Sequence, residues 1–488
     1  MLFLPSRACL AARLVCYSCS PIPMTKRVCL DRPRASARAA LALLLLINLF
    51  NFIDRYVLAA VMPEIESTFF SAPERAGTLV LQLVTKFEQA FGFTPRLALG
   101  GLLSTAFMVT YIIGAPLFGR LAGRQSRWML VGVGVSLWSL ASGASGMAGT
   151  FLVLLVTRCF VGIGEAAYGP VAPAIIADSY PISVRGRVLS WFYTALPIGS
   201  ALGYVLGEQI AKSGLGDLGA RLFGFSAESW RWAFYLVTPP GLILGLWCLF
   251  IRDPAKDQAD ALVTSPARVV RWRNYLIFFR TPSYVLCSLG MTCMTFAMGG
   301  IAVWMPYYLE HRPGLQRFPT TTFGVILLVT GLLGTLLGGI AGDKLRDRFA
   351  GSYFLISGIA MLIGFPVVGM MTTAAFPWIW VYIFFACFCL FFNTAPTNTI
   401  LANVTHPDIR AAGYALNILF IHALGDVPSP FLIGLISDRY NMDIAFRVVA
   451  VMFLCSGLIW LLGVRYLAKD VARAQSAREV CTPAGAHS

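Results

Sequence analysis

Twelve stretches of this chain are long and apolar enough to cross a lipid bilayer, and that count constrains the fold more than any other feature of the sequence. A helix needs about 20 mainly apolar residues to span the hydrocarbon core. Runs of that length, bounded by charged or Pro/Gly breaks, fall at about 40–64, 98–119, 128–147, 150–177, 188–210, 231–251, 283–309, 321–341, 352–371, 376–402, 412–437 and 443–464. Backbone groups in hydrocarbon have no water to bond, so such runs fold as helices. The expected fold class is an all-α membrane protein with twelve transmembrane helices. Only 12% of the 488 residues are charged, against about 25% in soluble domains, which excludes an ordinary soluble enzyme. An even number of spans puts both termini on one side.

The chain carries 38 Lys+Arg against 23 Asp+Glu, a formal charge of +15 that would suggest nucleic acid as the partner of a soluble protein. Here the excess follows topology. It falls in the N-terminal tail, around Arg120, Arg124 and Arg127, at Arg185 and Arg187, between Arg252 and Arg280, at Lys344, Arg346 and Arg348, at Arg410, and in the C-terminal tail. The intervening connections hold cations and acids in balance. The bias of basic loops toward the cytoplasm therefore predicts a multi-pass protein of the cell membrane with both termini cytoplasmic, and no nucleic-acid partner. The expected organisation is a tail at 1–39, a six-helix bundle at 40–251, a cytoplasmic linker at 252–282, a second bundle at 283–464 and a tail at 465–488. Residues 1–23 read as sequence ahead of the true start at Met24. Cys16 and Cys19 form a C-x-x-C without a second pair, and the four histidines are scattered, so neither a metal nor a cofactor is expected.

The two halves repeat at a spacing of roughly 220 residues. Gly119-Arg-Leu-Ala-Gly-Arg-Gln-Ser-Arg127 follows the second span, and Gly339-Ile-Ala-Gly-Asp-Lys-Leu-Arg-Asp-Arg348 follows the eighth. Two six-helix halves with cytoplasmic termini describe a secondary transporter that rocks about a site near the bilayer midplane. No Walker-type loop is present in the sequence to make ATP the energy source.

These loops resemble those of the major facilitator superfamily, whose second-to-third connection carries G-x-x-x-D-R/K-x-x-R/K. Asp343 fills the acidic position of the C-terminal copy, whereas Gly123 stands there in the N-terminal one. The resemblance implies two pseudo-symmetric bundles and a cytoplasmic gate built from Arg120, Arg124, Arg127, Asp343, Arg346 and Arg348, with Asp343 taking more of the latch. A more specific resemblance, over about residues 45–440, is to the Spinster branch. It rests on Asn51-Phe-Ile-Asp-Arg-Tyr56, Gly162-Ile-Gly-Glu-Ala-Ala-Tyr168, Ala172-Pro-Ala-Ile-Ile-Ala-Asp178, Tyr193-Thr-Ala-Leu-Pro-Ile-Gly-Ser-Ala-Leu-Gly-Tyr204, Trp304-Met-Pro-Tyr-Tyr308 and His422-Ala-Leu-Gly-Asp-Val-Pro-Ser-Pro430. The first external loop, about 66–97, is longer than the family's usual one.

Five ionisable residues fall inside spans, where each costs roughly 2.5–3.5 kcal/mol near a helix centre. Arg158 and Glu165 lie two turns apart on one face of the fourth span. Asp54 and Arg55 are neighbours in the first and must point to different sides. Asp426 shares a face of the eleventh with His422, four residues earlier. Two readings fit: a static ion-pair network, or a proton-linked switch in which Asp54 and Glu165 exchange protons while Arg158 shifts between them. The Spinster resemblance implies the second. His422 and Asp426, beside Pro428 and Pro430, either satisfy backbone groups freed by a helix break or form a second titrating site.

In the superfamily the first, fourth, seventh and tenth spans line the cavity. The resemblance thus makes Asn51, Phe52, Tyr56, Tyr168, Phe296, Met298, Trp304, Tyr307, Asn393 and Thr397 candidate cavity residues. Their aromatic and sulfur-rich character suits an apolar tail, while Arg55 or Arg158 suits an anionic head group. Spinster-like proteins move lysophospholipids and sphingosine phosphate, so an amphipathic anionic substrate moved with protons by a monomer in membrane lipid is expected. A small organic anion or multidrug export is the alternative. A polytopic membrane enzyme fits poorly, because His311, His406 and His487 lack a catalytic constellation and an enzyme leaves the repeat unexplained.

Overall fold

A computed structural model describes residues 35–71, 77–180, 182–223, 228–251, 272–315, 317–405 and 409–481. The proposed early start, Cys16 and Cys19, and most of the 252–282 linker lie outside the described residues. Among those described, twelve helices have the length and apolarity to cross a membrane: Arg38–Ala60, Arg96–Leu121, Arg127–Gly146, Phe151–Ser179, Arg187–Ala211, Trp230–Leu249, Pro282–Glu310, Pro319–Arg346, Ser352–Met371, Trp378–Val404, Ala412–Arg439 and Met442–Ala474. They match the apolar runs to within a few residues at most ends. The last helix runs on to Cys481, past the expected boundary at 464. Large apolar side chains such as Ile113, Leu117, Leu140, Ile243 and Leu336 are exposed on the outside of the bundle, where a soluble protein would carry charge.

Four spans are interrupted, and the breaks repeat between the halves. The fourth breaks at Gly169 and Pro170, and the tenth at Asn393. The fifth breaks at Thr194, and the eleventh widens into a π-helical turn at His422–Asp426. The prolines explain the positions: Pro170, Pro396, Pro197 and Pro428 each follow or sit at a break, lacking an N–H and crowding the preceding turn. In the eleventh span the ladder adapts by bonding Val427 N–H to His422 O, one residue wider than an α-turn, at 3.1 Å.

The two six-helix bundles meet along three seams: the first span on the seventh, the second on the eleventh and the fifth on the eighth. We call the face holding the start of the first span the near face and its opposite the far face. Polar contacts across the seams lie toward the far face, among them Asp438 to Leu97 and Ala98, Glu208 to Thr320 and Thr321, and Lys212 to Glu310. Midway, Thr105 donates to Val427 O at 2.7 Å and Tyr204 to Ala302 O at 2.6 Å. The 66–97 connection contains a helix, Thr78–Phe91, with Val80 buried and Leu79 and Leu83 exposed.

Candidate functional site

The ionisable residues of the N-terminal half collect between its first, third and fourth spans. A close approach of helices makes this possible: a Cβ on Gly164 would lie 2.7 Å from Gly134 O and from Trp138 N, so only glycine lets the third and fourth spans touch there. Glu165 is thereby drawn inward and is 1% exposed. As the sequence demands, Asp54 and Arg55 diverge. Asp54 faces the third span, where Ser142 Oγ donates to its Oδ1; its Oδ2 is buried with no hydrogen-bond partner. Arg55 faces the other way, and its Nη2 meets Glu165 Oε2 at 2.5 Å.

The partner of Glu165 is thus Arg55, not the Arg158 of its own helix face. The Arg158 Nη2 donates to Ser145 Oγ at 2.8 Å, and its guanidinium sits over the Phe234 ring at 5.2 Å. Two turns of one helix place residues about 10 Å apart, too far for direct pairing, so Glu165 pairs between helices instead. Aromatic faces surround the Arg55 cation: Phe107 at 4.8 Å, Phe52 at 5.4 Å and Tyr111 at 5.8 Å. Asn51 is buried one turn before Arg55, and Asn48, deeper still, donates to Phe192 O at 2.8 Å.

Between the bundles lies a cavity with about 680 Å³ of empty space, part of it open to solvent. Arg55, Tyr56, Arg158 and Asp426 border it. His422 Nδ1 meets Asp426 Oδ2 at 2.9 Å, the juxtaposition expected four residues apart and held by the π-turn. The rest of the wall was not foreseen: Leu58 and Ala59 come from the first span, Ser104, Phe107 and Met108 from the second, Val161 from the fourth, Gly299, Ala302 and Val303 from the seventh, and Pro430 from the eleventh.

Several candidate cavity residues do other work. Tyr168 is 2% exposed, donates to Leu44 O at 2.7 Å and packs edge-on against Trp138 in the N-terminal core. Trp304 is fully buried, with its indole N–H on Pro430 O at 2.7 Å, and Tyr307 packs edge-on against it and stacks on His311 toward the far face. Phe296 and Met298 pack into the large apolar core. Asn393 and Thr397 bond back to Cys389 O and Asn393 O at 2.6 and 2.7 Å, satisfying carbonyls at the break of the tenth span. These side chains are large or polar because they close helix junctions, and none borders the cavity.

On the near face Arg120, Arg124, Asp343, Arg346 and Arg348 are exposed. Asp343 accepts from Tyr353 of its own half at 2.8 Å, and Arg127 pairs with Asp178 of its own half at 2.5 Å.

Two pseudo-symmetric six-helix bundles enclosing a charged cavity at mid-depth define a secondary transporter. Residues 44–429 match the Major Facilitator Superfamily. The chain is 34% identical to the human Protein spinster homolog 1 over 82% of its length and 73% of that protein's. It is 30% identical to Protein spinster of Drosophila melanogaster over 80% of its own length, spanning 60% of that longer protein. Among solved structures, a bacterial homologue of the human lysosomal transporter Spinster, in an inward-facing and unoccupied conformation, superposes with a TM-score of 0.76 at 21% identity, covering 90% of this chain and 98% of that one. The chain belongs to the Spinster branch of the major facilitator superfamily. It is a multi-pass membrane transporter of a small-molecule substrate, not an enzyme.

Proposed function

We propose that this protein moves an amphipathic, anionic, lysolipid-like molecule across the cell membrane by alternating access, linked to protons. The observation that carries this reading is the composition of the cavity wall. Two guanidinium groups, Arg55 and Arg158, share it with Leu58, Phe107, Met108, Val161 and Val303, a pairing of anion binding with an apolar lining. By the basic bias of its loops the near face is cytoplasmic, both termini with it, and the conformation described is inward-facing. The bundles at 40–251 and 283–464 are the rocking bodies, and the chain works as a monomer.

The proton linkage follows from competition for Arg55. A guanidinium bonded to Glu165 is neutralised; a proton on Glu165 releases it to receive an anionic head group. Asp54, one residue earlier and within the field of Arg158 and Arg55, is the second protonatable group. Its bond to Ser142 ties the protonation state to the packing of the first span on the third. His422 and Asp426 form a further titratable pair facing the same cavity from the other bundle. When the near face closes, Arg120, Arg124 and Arg127 meet the Asp343, Arg346 and Arg348 loop across the gate.

Thermal shift with detergent-solubilised protein separates the substrate classes. Stabilisation by lysophosphatidylglycerol and none by dicarboxylates is the expected result. The opposite pattern replaces the lipid reading with a small organic anion.

A further inference from the structure

The second and eighth spans, equivalent helices of the two halves, begin the same way: a proline at the entrance, Pro95 or Pro319, and no side-chain cap from their own segment. The first backbone N–H groups of a helix have no intrahelical acceptor. In each case the opposite bundle supplies one. Asp438, at the end of the eleventh span, accepts Leu97 N–H on Oδ1 at 2.9 Å and Ala98 N–H on Oδ2 at 2.8 Å. Glu208, at the end of the fifth, accepts Thr320 N–H on Oε1 at 3.1 Å and Thr321 N–H on Oε2 at 2.6 Å. The fifth and eleventh spans are themselves equivalent. The same two helix positions are therefore capped, in trans and reciprocally, by a carboxylate from the equivalent helix of the other half.

The surroundings differ between the two. Lys212 Nζ bonds Glu208 Oε1 at 3.1 Å, Glu310 Oε2 at 2.9 Å and Arg317 O at 2.8 Å, tying the first clasp to the seventh span. Glu208 is 2% exposed. Beside Asp438, Gly434 allows the eleventh span to reach the second: a Cβ there would fall 2.5 Å from Leu97 O and 2.8 Å from Ala98 N.

We propose that Glu208 and Asp438 form a symmetric pair of clasps that hold the far face shut, and that each sets the balance between the conformation described and one open on the far face. This rests on the reading that the far face opens during transport. Parting the bundles would leave four helix N–H groups and two carboxylates to water, so the bonds exist only while the face is closed. A carboxylate at a helix N-terminus also gains from the helix dipole. Replacing a helix cap by alanine shifts an equilibrium by a factor of about 5 to 30.

Hydrogen–deuterium exchange on the full chain in detergent tests the pair. Glu208→Ala should speed exchange at 320–321, where its bonds are lost, and also at 97–98, which it does not touch; Asp438→Ala should do the reverse. Each distant rise should be about 5- to 30-fold. A rise confined to the substituted clasp refutes the proposal, because Glu208 and Asp438 would then be local caps only. Glu208→Gln and Asp438→Asn keep one acceptor oxygen and should give a smaller rise at both sites; a rise at the near site alone again refutes it. A rise at both clasps without slower exchange in the near-face stretches 187–193 and 339–346 upholds the clasps and overturns the rocking motion instead.

Discussion

Adding one methyl group to Gly101 should force the far face open. Gly101 lies where the second span crosses the eleventh, and a Cβ there would sit against Pro430 O, 2.5 Å from Pro430 C and 2.8 Å from Phe431 N. Carbon atoms in ordinary contact stay about 3.5–4.0 Å apart. The opposing atoms are backbone and cannot rotate away, so the two spans must separate by about 1 Å. Overpacking of this kind costs about 1–3 kcal/mol. Because the contact joins the bundles and vanishes when the far face parts, that cost appears as a population shift of roughly 5- to 150-fold toward the open conformation. Replacing glycine by alanine inside a helix favours both conformations alike, by up to about 1 kcal/mol, and does not offset the shift. The assay is electron–electron double resonance between spin labels at Leu218→Cys and Tyr440→Cys, both exposed on the far face in opposite halves. Gly101→Ala should add a longer distance that wild type lacks, and Gly434→Ala should act in the same direction. Unchanged distances, with or without a loss of thermal stability, would show that this approach is not specific to the closed face and refute the reasoning.

Other outcomes follow from the same geometry. Glu64, just beyond the first span, is held at about 7 rather than its ordinary 4.5, chiefly by burial, with Glu310 and Glu208 adding to the rise and Lys212 opposing it. If hydration in the open form restores the ordinary value, the closed form binds the extra proton, so closure gains as pH falls from about 7 toward 4.5, by up to about 3 kcal/mol. The spin-label distances should shorten over that window, and the shortening should be smaller in Glu64→Gln than in wild type; an equal response in the two proteins contradicts the assignment. Ser142→Ala removes the hydrogen bond to buried Asp54 and should lower Tm by the equivalent of about 1–3 kcal/mol; an unchanged Tm in a melting scan contradicts the pairing. Met108→Trp should fill the cavity and abolish stabilisation by lysophosphatidylglycerol, whereas Tyr168→Phe, in the N-terminal core, should leave that stabilisation intact.

The spans were legible because apolar length has one meaning in a bilayer, and the four N-half charges because a charge inside a span is too costly to be incidental. Their pairing was not. Asp54 and Arg55 were seen to diverge, but that Arg55 rather than Arg158 meets Glu165 depends on how the first span docks on the fourth. Phe107 and Met108 carried no signal, since an apolar side chain in an apolar span reads the same whether it faces lipid, core or cavity, and Ser104 carried none because a lone serine in a span can bond its own helix's carbonyls. Aromatic character misled for the same reason: Tyr168 and Trp304 are large because they lock helix junctions. The far-face clasps join groups 112 and 340 residues apart, and charges at span ends are common, so neither Glu208 nor Asp438 stood out before the helices were assembled.

The central claim is that release of Arg55 from Glu165 by a proton admits an anionic amphipathic substrate. Its most direct test is the movement of lysophosphatidylglycerol across proteoliposomes with and without a pH gradient, comparing wild type with Glu165→Gln and Asp54→Asn. The account predicts that the gradient changes the rate in wild type and that each substitution abolishes this response. Equal responses in all three proteins would contradict it.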